Sequence, residues 1–396
     1  MKKTSGFLLI MLITAIVLAA CQNSETGHEK NHHEHQMNAH SVKEDKTAAS
    51  LPTEFNNQAA EGLIVKDTKN TTRLNANTPE ELSIMTSQTV WPATHRQNRP
   101  GAVILVSGDS WQTVLAAADL IHHPNNGPML ITDHDKISDN IRIGNIDKKA
   151  LQKLDSYKVK QLKGNNPAEL AKEIDKEYAG AGDEYPKSVI IGSSENDAEL
   201  YTLPAVNWIA HMPEPILYVD KSGIPEETAQ ALKKRNGKAN IYILGPETAV
   251  SKKTEKALKE YGTVKRISGS NPVANSIAFA KYKDKSTNFG WGITAPGHGL
   301  SFASTETPDL ALAGAPFSHL GKHAPLLVLK NGQADRSIYS FLSDIQPSFQ
   351  NDPQDGPYNH AFILGTENEI SFQTQGILDD ILEIKSAEGG HSGHSS

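Results

Sequence analysis

The chain has 396 residues, which is long enough for two or three domains. Its 39 basic and 46 acidic residues give a formal charge of −7, which argues against a nucleic-acid-binding protein because such proteins need a basic surface. The single cysteine excludes an intramolecular disulfide.

The N-terminus carries an export signal. Lys2 and Lys3 precede an apolar run over residues 7–17, and small residues then lead to Cys21. The run is too short for a comfortable membrane span, so residues 1–20 are predicted to be a secretory signal peptide. Leu-Ala-Ala-Cys resembles the lipobox of bacterial lipoproteins, which implies that Cys21 carries diacylglycerol and palmitate at the extracytoplasmic face of the cell membrane. The alternative is a plain signal peptide that ends near a cysteine.

Residues 21–70 are predicted to be a disordered tether because they are polar and contain one aromatic residue, Phe55. Five histidines fall within thirteen residues of this tether: His28, His32, His33, His35 and His40. Clustered neutral imidazoles bind Zn or Cu weakly, so metal scavenging is one interpretation and a solvated linker of biased composition is the other. No further cofactor is expected. Residues 387–396 are predicted to be a flexible tail.

Between these ends, short apolar runs alternate with helical segments. The first two units predict strands at 103–107, 127–132, 189–192, 215–219 and 240–246, with helices at 113–121, 148–157, 197–210, 226–235 and 251–261. The third unit predicts strands at 290–294, 324–329 and 360–365, with helices at 309–320, 337–345 and 371–384. Continuous apolar strands separated by helices indicate parallel sheets covered on both faces. The predicted fold class is therefore α/β, with three tandem small parallel-sheet modules packed together after a disordered tether.

One phrase opens each unit, at residues 72–82, 160–170 and 264–274. Self-similarity at a fixed period indicates a tandem module. Arg73 and Arg266 occupy the same position in the phrase, and Gln161 replaces them in the second copy. An Arg fork at this position suits a phosphate contact, and an ion pair at an interface between modules is the alternative.

Further motifs follow the phrase in a fixed order, and the third unit shows them best: Arg266–Gly269, Asp309–Pro316, Ala324–Leu329 and Ile363–Gly365. This order resembles the cell wall-binding repeat 2 family, with repeats at 71–158, 159–262 and 263–386. The resemblance implies non-covalent attachment to the Gram-positive wall through anionic polymers threaded on peptidoglycan. It also implies three repeats in a compact triangular arrangement.

Ligands of parallel α/β sheets bind beyond the carboxyl ends of the strands. The loops predicted there begin at Ser107, Gly192 and Thr294, and their small polar residues suit a saccharide or phosphate. The candidate ligand-binding residues are Ser107, Asp109, Ser193, Ser194, Arg73, Arg266 and His298. The alternative is that short turns need Gly, Ser and Asp for their own geometry. Trp111, Trp208 and Trp291 are interpreted as core residues or as platforms for sugar rings.

A hydrolase is the one enzyme class that a motif suggests. Gly-Asp-Ser ending at Ser110 resembles the nucleophile block of Gly-Asp-Ser-Leu esterases, which also need a late Asp-x-x-His pair. The only such pair here is Asp119 with His122, on the helix that follows the serine. No catalytic residue is therefore assigned, and the chain is predicted not to be an enzyme.

Two functions remain. The first is a lipid-anchored, non-catalytic envelope protein that binds anionic wall polymer, peptidoglycan or another wall protein at the interface of wall and membrane. The second is a metal-handling lipoprotein, either a Zn or Cu scavenger or the substrate-binding component of an importer, whose ligands converge in one cleft. Seven histidines of the folded part show no cluster in sequence: His95, His122, His134, His211, His298, His319 and His360.

Overall fold

The computed structural model describes residues 51–54, 56, 61, 66–132, 159–320 and 323–387. The predictions for the signal peptide, Cys21, the tether histidines and nearly all of the tail lie outside these residues. The predicted helix at 148–157 lies outside them too. The described residues belong to a unit that runs from Ala49 to Ser396. No helix among them has the length and apolar character needed to cross a membrane.

The order of elements is a regular alternation. The strands are β1 Thr71–Leu74, β2 Ile104–Ser107, β3 Met129–Thr132, β4 Ser188–Ser193, β5 Ile216–Val219, β6 Ala239–Leu244, β7 Gly262–Ile267, β8 Gly299–Ser304, β9 Leu326–Leu329, β10 Ser348–Phe349, β11 His360–Leu364 and β12 Lys385–Ser386. The helices are α1 Pro79–Val90, α2 Trp111–Ala117, α3 Pro167–Gly182, α4 Glu199–Thr202, α5 Ala205–Ile209, α6 Glu226–Lys233, α7 Lys252–Leu258, α8 Pro272–Lys281, α9 Pro308–Ala313, α10 Arg336–Asp344 and α11 Phe372–Leu382. The predicted α/β class is confirmed.

Parallel sheets form the centre of each unit. The second unit contains a four-stranded sheet in the order β5-β4-β6-β7, and the third has the same order in β9-β8-β11-β1. The first unit shows the pair β2-β3 among the described residues, and β10 pairs with β12 apart from these sheets. All four sheets are parallel. Strands β2, β4 and β5 are buried along their whole length, as parallel strands covered on both faces should be.

The repeated phrase supplies the last strand of a neighbouring sheet. Strand β7 opens the third phrase but pairs with β6 of the second unit, from Gly262 opposite Ala239 to Ile267 opposite Leu244. Strand β1 opens the first phrase but pairs with β11 of the third unit. The strand of one repeat therefore completes the sheet of another, and the first repeat is joined in this way to the third.

The second half of each phrase starts a helix. Thr78, Asn166 and Asn271 are the N-cap residues of α1, α3 and α8, and each side chain accepts a hydrogen bond from a backbone N–H three residues later. A proline follows each cap, where its missing N–H costs nothing because that group has no partner within the helix. The first and third copies of the phrase are thus a strand, a turn and a capped helix, whereas residues 160–166 of the second copy form no strand before the helix.

One predicted strand is wrong. Residues 290–294 form no strand, and the first strand of the third unit is β8, which begins at Gly299. Gly290 and Gly292 have φ of 97° and 69°, values outside the extended region that a strand requires. The backbone instead turns back on Tyr282, whose carbonyl oxygen accepts from Gly292 N at 2.9 Å. The predicted loop at 294–299 therefore precedes the sheet instead of following it.

Helical segments from three units meet at the core. Helix α5 of the second unit packs against the 3-10 turn Ala118–Leu120 of the first and the 3-10 turn Ala315–Ser318 of the third. Ala118, Ala205 and Ala315 are fully buried there. Small side chains let the three backbones approach closely. The prediction that the modules pack together is confirmed, and the residues that follow these segments are brought near one another.

Candidate functional site

A cleft of about 510 Å³ is lined by residues of the second and third units. The residues after α5 form one side, and residues 283–299 with the amino end of β11 form the others. Among the described residues, its lining contains one lysine, four histidines and no carboxylate; these are Lys283, His211, His298, His323 and His360. A cleft of this composition suits a ligand that offers hydrogen-bond acceptors or negative charge, although the whole chain is acidic.

Aromatic rings form part of the same cleft. Trp208 is buried, and its Nε1 donates to Glu214 Oε2 at 2.9 Å. Trp291 lies perpendicular to Trp208 with 5.0 Å between ring centroids, and it is only half-buried. Tyr358 is 56% exposed at the cleft. Trp208 is therefore a core residue, as is the buried Trp111, whereas Trp291 and Tyr358 border open space where a sugar ring can stack.

Asn359 holds the turn that carries His298. Its Oδ1 accepts from Gly297 N at 2.8 Å and from His298 N at 3.1 Å, and its Nδ2 donates to Ile345 O at 2.8 Å. His360 N donates to His298 O at 3.1 Å. His298 and His360 thus lie side by side at the amino ends of β8 and β11. The cleft is at the opposite end of the sheet from the loops favoured by the sequence.

The loops at the carboxyl ends form hydrogen bonds within themselves. Ser107 Oγ donates to Asp109 Oδ2 at 2.6 Å and accepts from Asp109 N at 3.3 Å. Ser193 Oγ accepts from Glu195 N, and both N and Oγ of Ser194 donate to Val219 O. Gln112 of the first unit reaches the second loop, where its Nε2 donates to Ser194 O at 2.7 Å. The structure brings these loops together, and their role in ligand binding stays a prediction.

Arg73 and Arg266 have equivalent surroundings. Arg73 donates to the carbonyl oxygens of Gly365, Thr366 and Ile370, which follow β11. Arg266 donates to the carbonyl oxygens of Gly245 and Val250, which follow β6, and forms an ion pair with Glu255 at 2.7 Å. Each arginine therefore joins the exchanged strand to the turn beyond its neighbour. Burial lowers the pKa of Arg73 to about 10, which leaves the side chain charged at neutral pH.

Two carboxylates lie close together on α4 and α9. Burial, with the charge of Asp309 as a second cause, raises the pKa of Glu199 to about 7. Burial also raises the pKa of Asp309, with Glu80 as a second cause. Since Glu80, Glu199 and Asp309 come from three different units, acidic side chains from each unit approach one another.

Three histidines from three units converge beyond the same helical segments. His122 follows the turn Ala118–Leu120, His211 follows α5, and His319 follows the turn Ala315–Ser318. One ligand nitrogen from each lies within 4.8 Å of the others. A fourth imidazole, His323, lies edge-on to His211 with 4.1 Å between ring centroids. Because His211 and His323 also line the cleft, the histidine cluster and the cleft are continuous.

These imidazoles are neutral at physiological pH. Burial, with the neighbouring histidines as a smaller cause, lowers the pKa of His211 and of His319 to about 4. Burial also lowers the pKa of His122, His298 and His323. Neutral imidazoles have a lone pair available for a hydrogen-bond donor or a metal ion.

The sequence predicts His298 as a ligand-binding residue of this region, but it does not predict the other histidines as a group. His122, His211 and His319 are scattered along the sequence, and His323 is not among the predicted candidates. The available signal is positional, because His122, His211 and His319 each lie between the helical region that follows β2, β4 or β8 and the next strand.

Ser110 has a structural role. It is the N-cap of α2, where its Oγ accepts from Thr113 N and donates to Gln112 Oε1 at 2.7 Å. Asp119 is fully buried, with no hydrogen-bond partner for either carboxylate oxygen among the described residues. His122 bonds to His319 through Nδ1. These three residues do not form the relay that a serine hydrolase requires.

Comparison with known proteins identifies similar folds. No protein-family model matches the chain. A stretch of 96 residues is 33% identical to the amidase enhancer of Bacillus subtilis (strain 168), and it covers 24% of this chain and 13% of that protein. The structure is similar to Cwp8 from Clostridium difficile, with a TM-score of 0.59 and 18% identity over 79% of this chain and 52% of that one. For Cwp6 from the same organism the TM-score is 0.63, with 16% identity over 79% of this chain and 48% of that one. The chain thus spans about half the length of these two structures.

Proposed function

We propose that this chain is a lipid-anchored protein of the cell envelope that binds an anionic polymer of the wall without catalysing a reaction. The arrangement of α/β units in which a strand of one unit completes the sheet of another carries the proposal, since the fold is similar to that of Cwp8 and Cwp6 from Clostridium difficile and the repeated phrase resembles cell wall-binding repeats. The similarity of a shorter stretch to an amidase enhancer also fits a role at the wall.

The cleft is the binding site that suits such a polymer best. Trp291 and Tyr358 offer ring faces to sugars, and Lys283 offers a cation to a phosphate or carboxylate. The absence of carboxylates from the lining removes the repulsion that an anionic chain would meet over the rest of an acidic surface. The cleft therefore gives an acidic protein a local site for an anionic ligand.

A retention assay on purified walls tests this function. The mature chain should sediment with walls that keep their anionic polymer, and much less with walls from which the polymer has been stripped. Lys283→Glu and Trp291→Ala should each weaken retention, whereas Lys259→Glu, a change of the same charge at an exposed residue outside the cleft lining, should not. Equal retention on both kinds of wall, or on neither, would contradict polymer binding.

A partner protein is the second candidate ligand, because the Bacillus subtilis relative is named an amidase enhancer. Binding of the chain to a purified wall amidase, with loss of that binding in the same cleft variants, would favour this candidate over the polymer.

A further inference from the structure

The histidine cluster is built by all three units. The tether histidines are local in sequence, whereas His122, His211 and His319 meet only because α5 packs between the 3-10 turns of the first and third units. Their ligand nitrogens are within 4.8 Å of one another. No described carboxylate or thiol belongs to this group. An all-imidazole set suits Zn, Cu, Ni or Co, and it suits Ca or Mg poorly because those ions prefer oxygen.

The ring of His319 is oriented by a second residue. Asn126 Oδ1 accepts from His319 Nε2 at 2.9 Å and from Trp91 Nε1 at 3.4 Å. The indole is only a donor, so this oxygen is the acceptor and the proton of the neutral His319 ring is on Nε2. The lone pair of His319 Nδ1 then points into the cluster. Such an outer hydrogen bond is the usual means of fixing a metal-binding imidazole.

His122 approaches His319 with its Nδ1 atom. Their two Nδ1 atoms lie 3.1 Å apart. Two nitrogens bound to one tetrahedral zinc at about 2.0–2.1 Å would lie about 3.3 Å apart. Asn126 also fixes the turn that carries His122, since Asn126 N donates to His122 O at 3.1 Å. Asn126 therefore orients the ring of His319 through its side chain and holds the backbone of His122 through its own backbone N–H.

His211 provides the third ring. Its Nδ1 is buried and has no hydrogen-bond partner among the described residues. A buried ring nitrogen without a partner is costly, so it is expected to bind a water or an ion. The other side of His211 faces His323 and the cleft, which leaves room for a fourth ligand.

We infer that His122, His211 and His319 form a transition-metal site that binds Zn(II) at the junction of the three units, with Asn126 as the positioning residue for His319. The site adjoins the proposed polymer-binding cleft and shares His211 with it, and it is separate in sequence from the tether histidines. A metal bound there would tie together segments from all three units.

Zinc titration of the mature chain tests this site. The background is a mature chain in which the tether and tail histidines are changed to serine: His28, His32, His33, His35, His40, His391 and His394. Competition with a chromophoric chelator should show one equivalent of Zn(II) at micromolar affinity or tighter. Co(II) should give the visible absorption of a tetrahedral nitrogen site, and Zn(II) should raise the Tm.

Matched variants distinguish the cluster from surface histidines. His122→Ala, at an exposed position that tolerates the change, should lower the affinity for Zn(II) at least about 100-fold. His123→Ala, at the adjacent residue, should leave it unchanged. Asn126→Ser should lower it about 10-fold or more, and Asn126→Asp, which keeps the acceptor oxygen, should restore it.

Two results would overturn the inference. One is the absence of micromolar Zn(II) binding by a chain whose circular dichroism shows it to be folded. The other is binding that survives His122→Ala and His211→Ala together. His211→Ala and His319→Ala should each also abolish the Co(II) spectrum. Because His319 is buried, His319→Ala could fail to fold; the variant at the exposed His122 then still tests the site.

Discussion

Arg73 Nη1 donates to the carbonyl oxygen of Gly365 at 2.9 Å across 292 residues of sequence. The same guanidinium also donates to Thr366 O at 2.9 Å and to Ile370 O at 2.8 Å. Strand β1 lies beside β11 in the same region, so the strand and the arginine together join the start of the fold to its end. Through this junction, a residue of the first unit stabilises the sheet of the third unit.

Removal of this arginine should destabilise the fold. Arg73→Ala leaves three buried carbonyl oxygens without their donor, and we expect a loss on the order of 3 kcal/mol in the free energy of unfolding. Urea denaturation followed by circular dichroism measures it.

Arg266→Ala is the matched comparison, because Arg266 makes the equivalent bonds at β7 but its side chain is 14% exposed. Arg266→Ala should lower the free energy of unfolding by less than Arg73→Ala does, since water can reach the carbonyl oxygens left without a donor. Equal losses at both positions would contradict the importance of burial at Arg73.

The repeated phrase predicts its own local structure well. Its Asn-Pro or Thr-Pro pair and its helical residues appear as a capped helix in all three copies, and its opening run appears as a strand in the first and third. Those features depend on neighbours in sequence, which is why they could be predicted. The sheet that each strand joins depends on long-range pairing, and no local pattern specifies it.

The candidate site was much harder to predict. The sequence pattern predicts ligand-binding loops at the carboxyl ends of the strands. The apolar character of residues 290–294 also predicts a strand there. The positive φ of Gly290 and Gly292 shifts the first strand to Gly299, and this puts His298 at the amino end instead. The cluster of His122, His211 and His319 arises from packing between units, and an alternation of hydrophobic residues carries no information about it.

Glu199 should make stability depend on pH. Burial raises its pKa from 4.5 to about 7. Between these values the folded chain keeps a proton that the unfolded chain has lost, so the free energy of unfolding falls as pH rises from 4.5 to about 7. Glu199→Gln removes this titration. We expect the variant to have a higher Tm than the parent at pH 8 and a similar Tm at pH 5.

Thermal unfolding at the two pH values tests the role of Glu199. Glu260→Gln, at an exposed residue, is the control and should change the Tm little at either pH. A Glu199→Gln variant whose Tm falls at pH 8 would show that the carboxylate is stabilised when ionised, in contrast to the effect of its burial.

The ion pair of Arg235 with Asp175 is another buried element whose loss should be severe. Arg235 Nη1 and Nη2 donate to the two carboxylate oxygens at 2.6 and 2.7 Å, and the side chains are 2% and 0% exposed. Asp175→Ala leaves a buried guanidinium without its partner and should cost about 3–5 kcal/mol. Lys172→Ala on the same helix, whose side chain is 23% exposed, should cost much less. Urea denaturation compares the two variants.

Cys21 should determine where the protein is found. It is the only cysteine of the chain and follows the apolar signal, so it is the only site for thioether attachment of a lipid. Two acyl chains give stable membrane attachment, whereas one gives only marginal binding. Cys21→Ser should therefore release the protein from the membrane fraction into the medium, as measured by immunoblots of fractionated cells. Gln22→Ala, at the next residue, should leave it in the membrane fraction, and a Cys21→Ser protein that stays there would mean that something other than the lipid holds it.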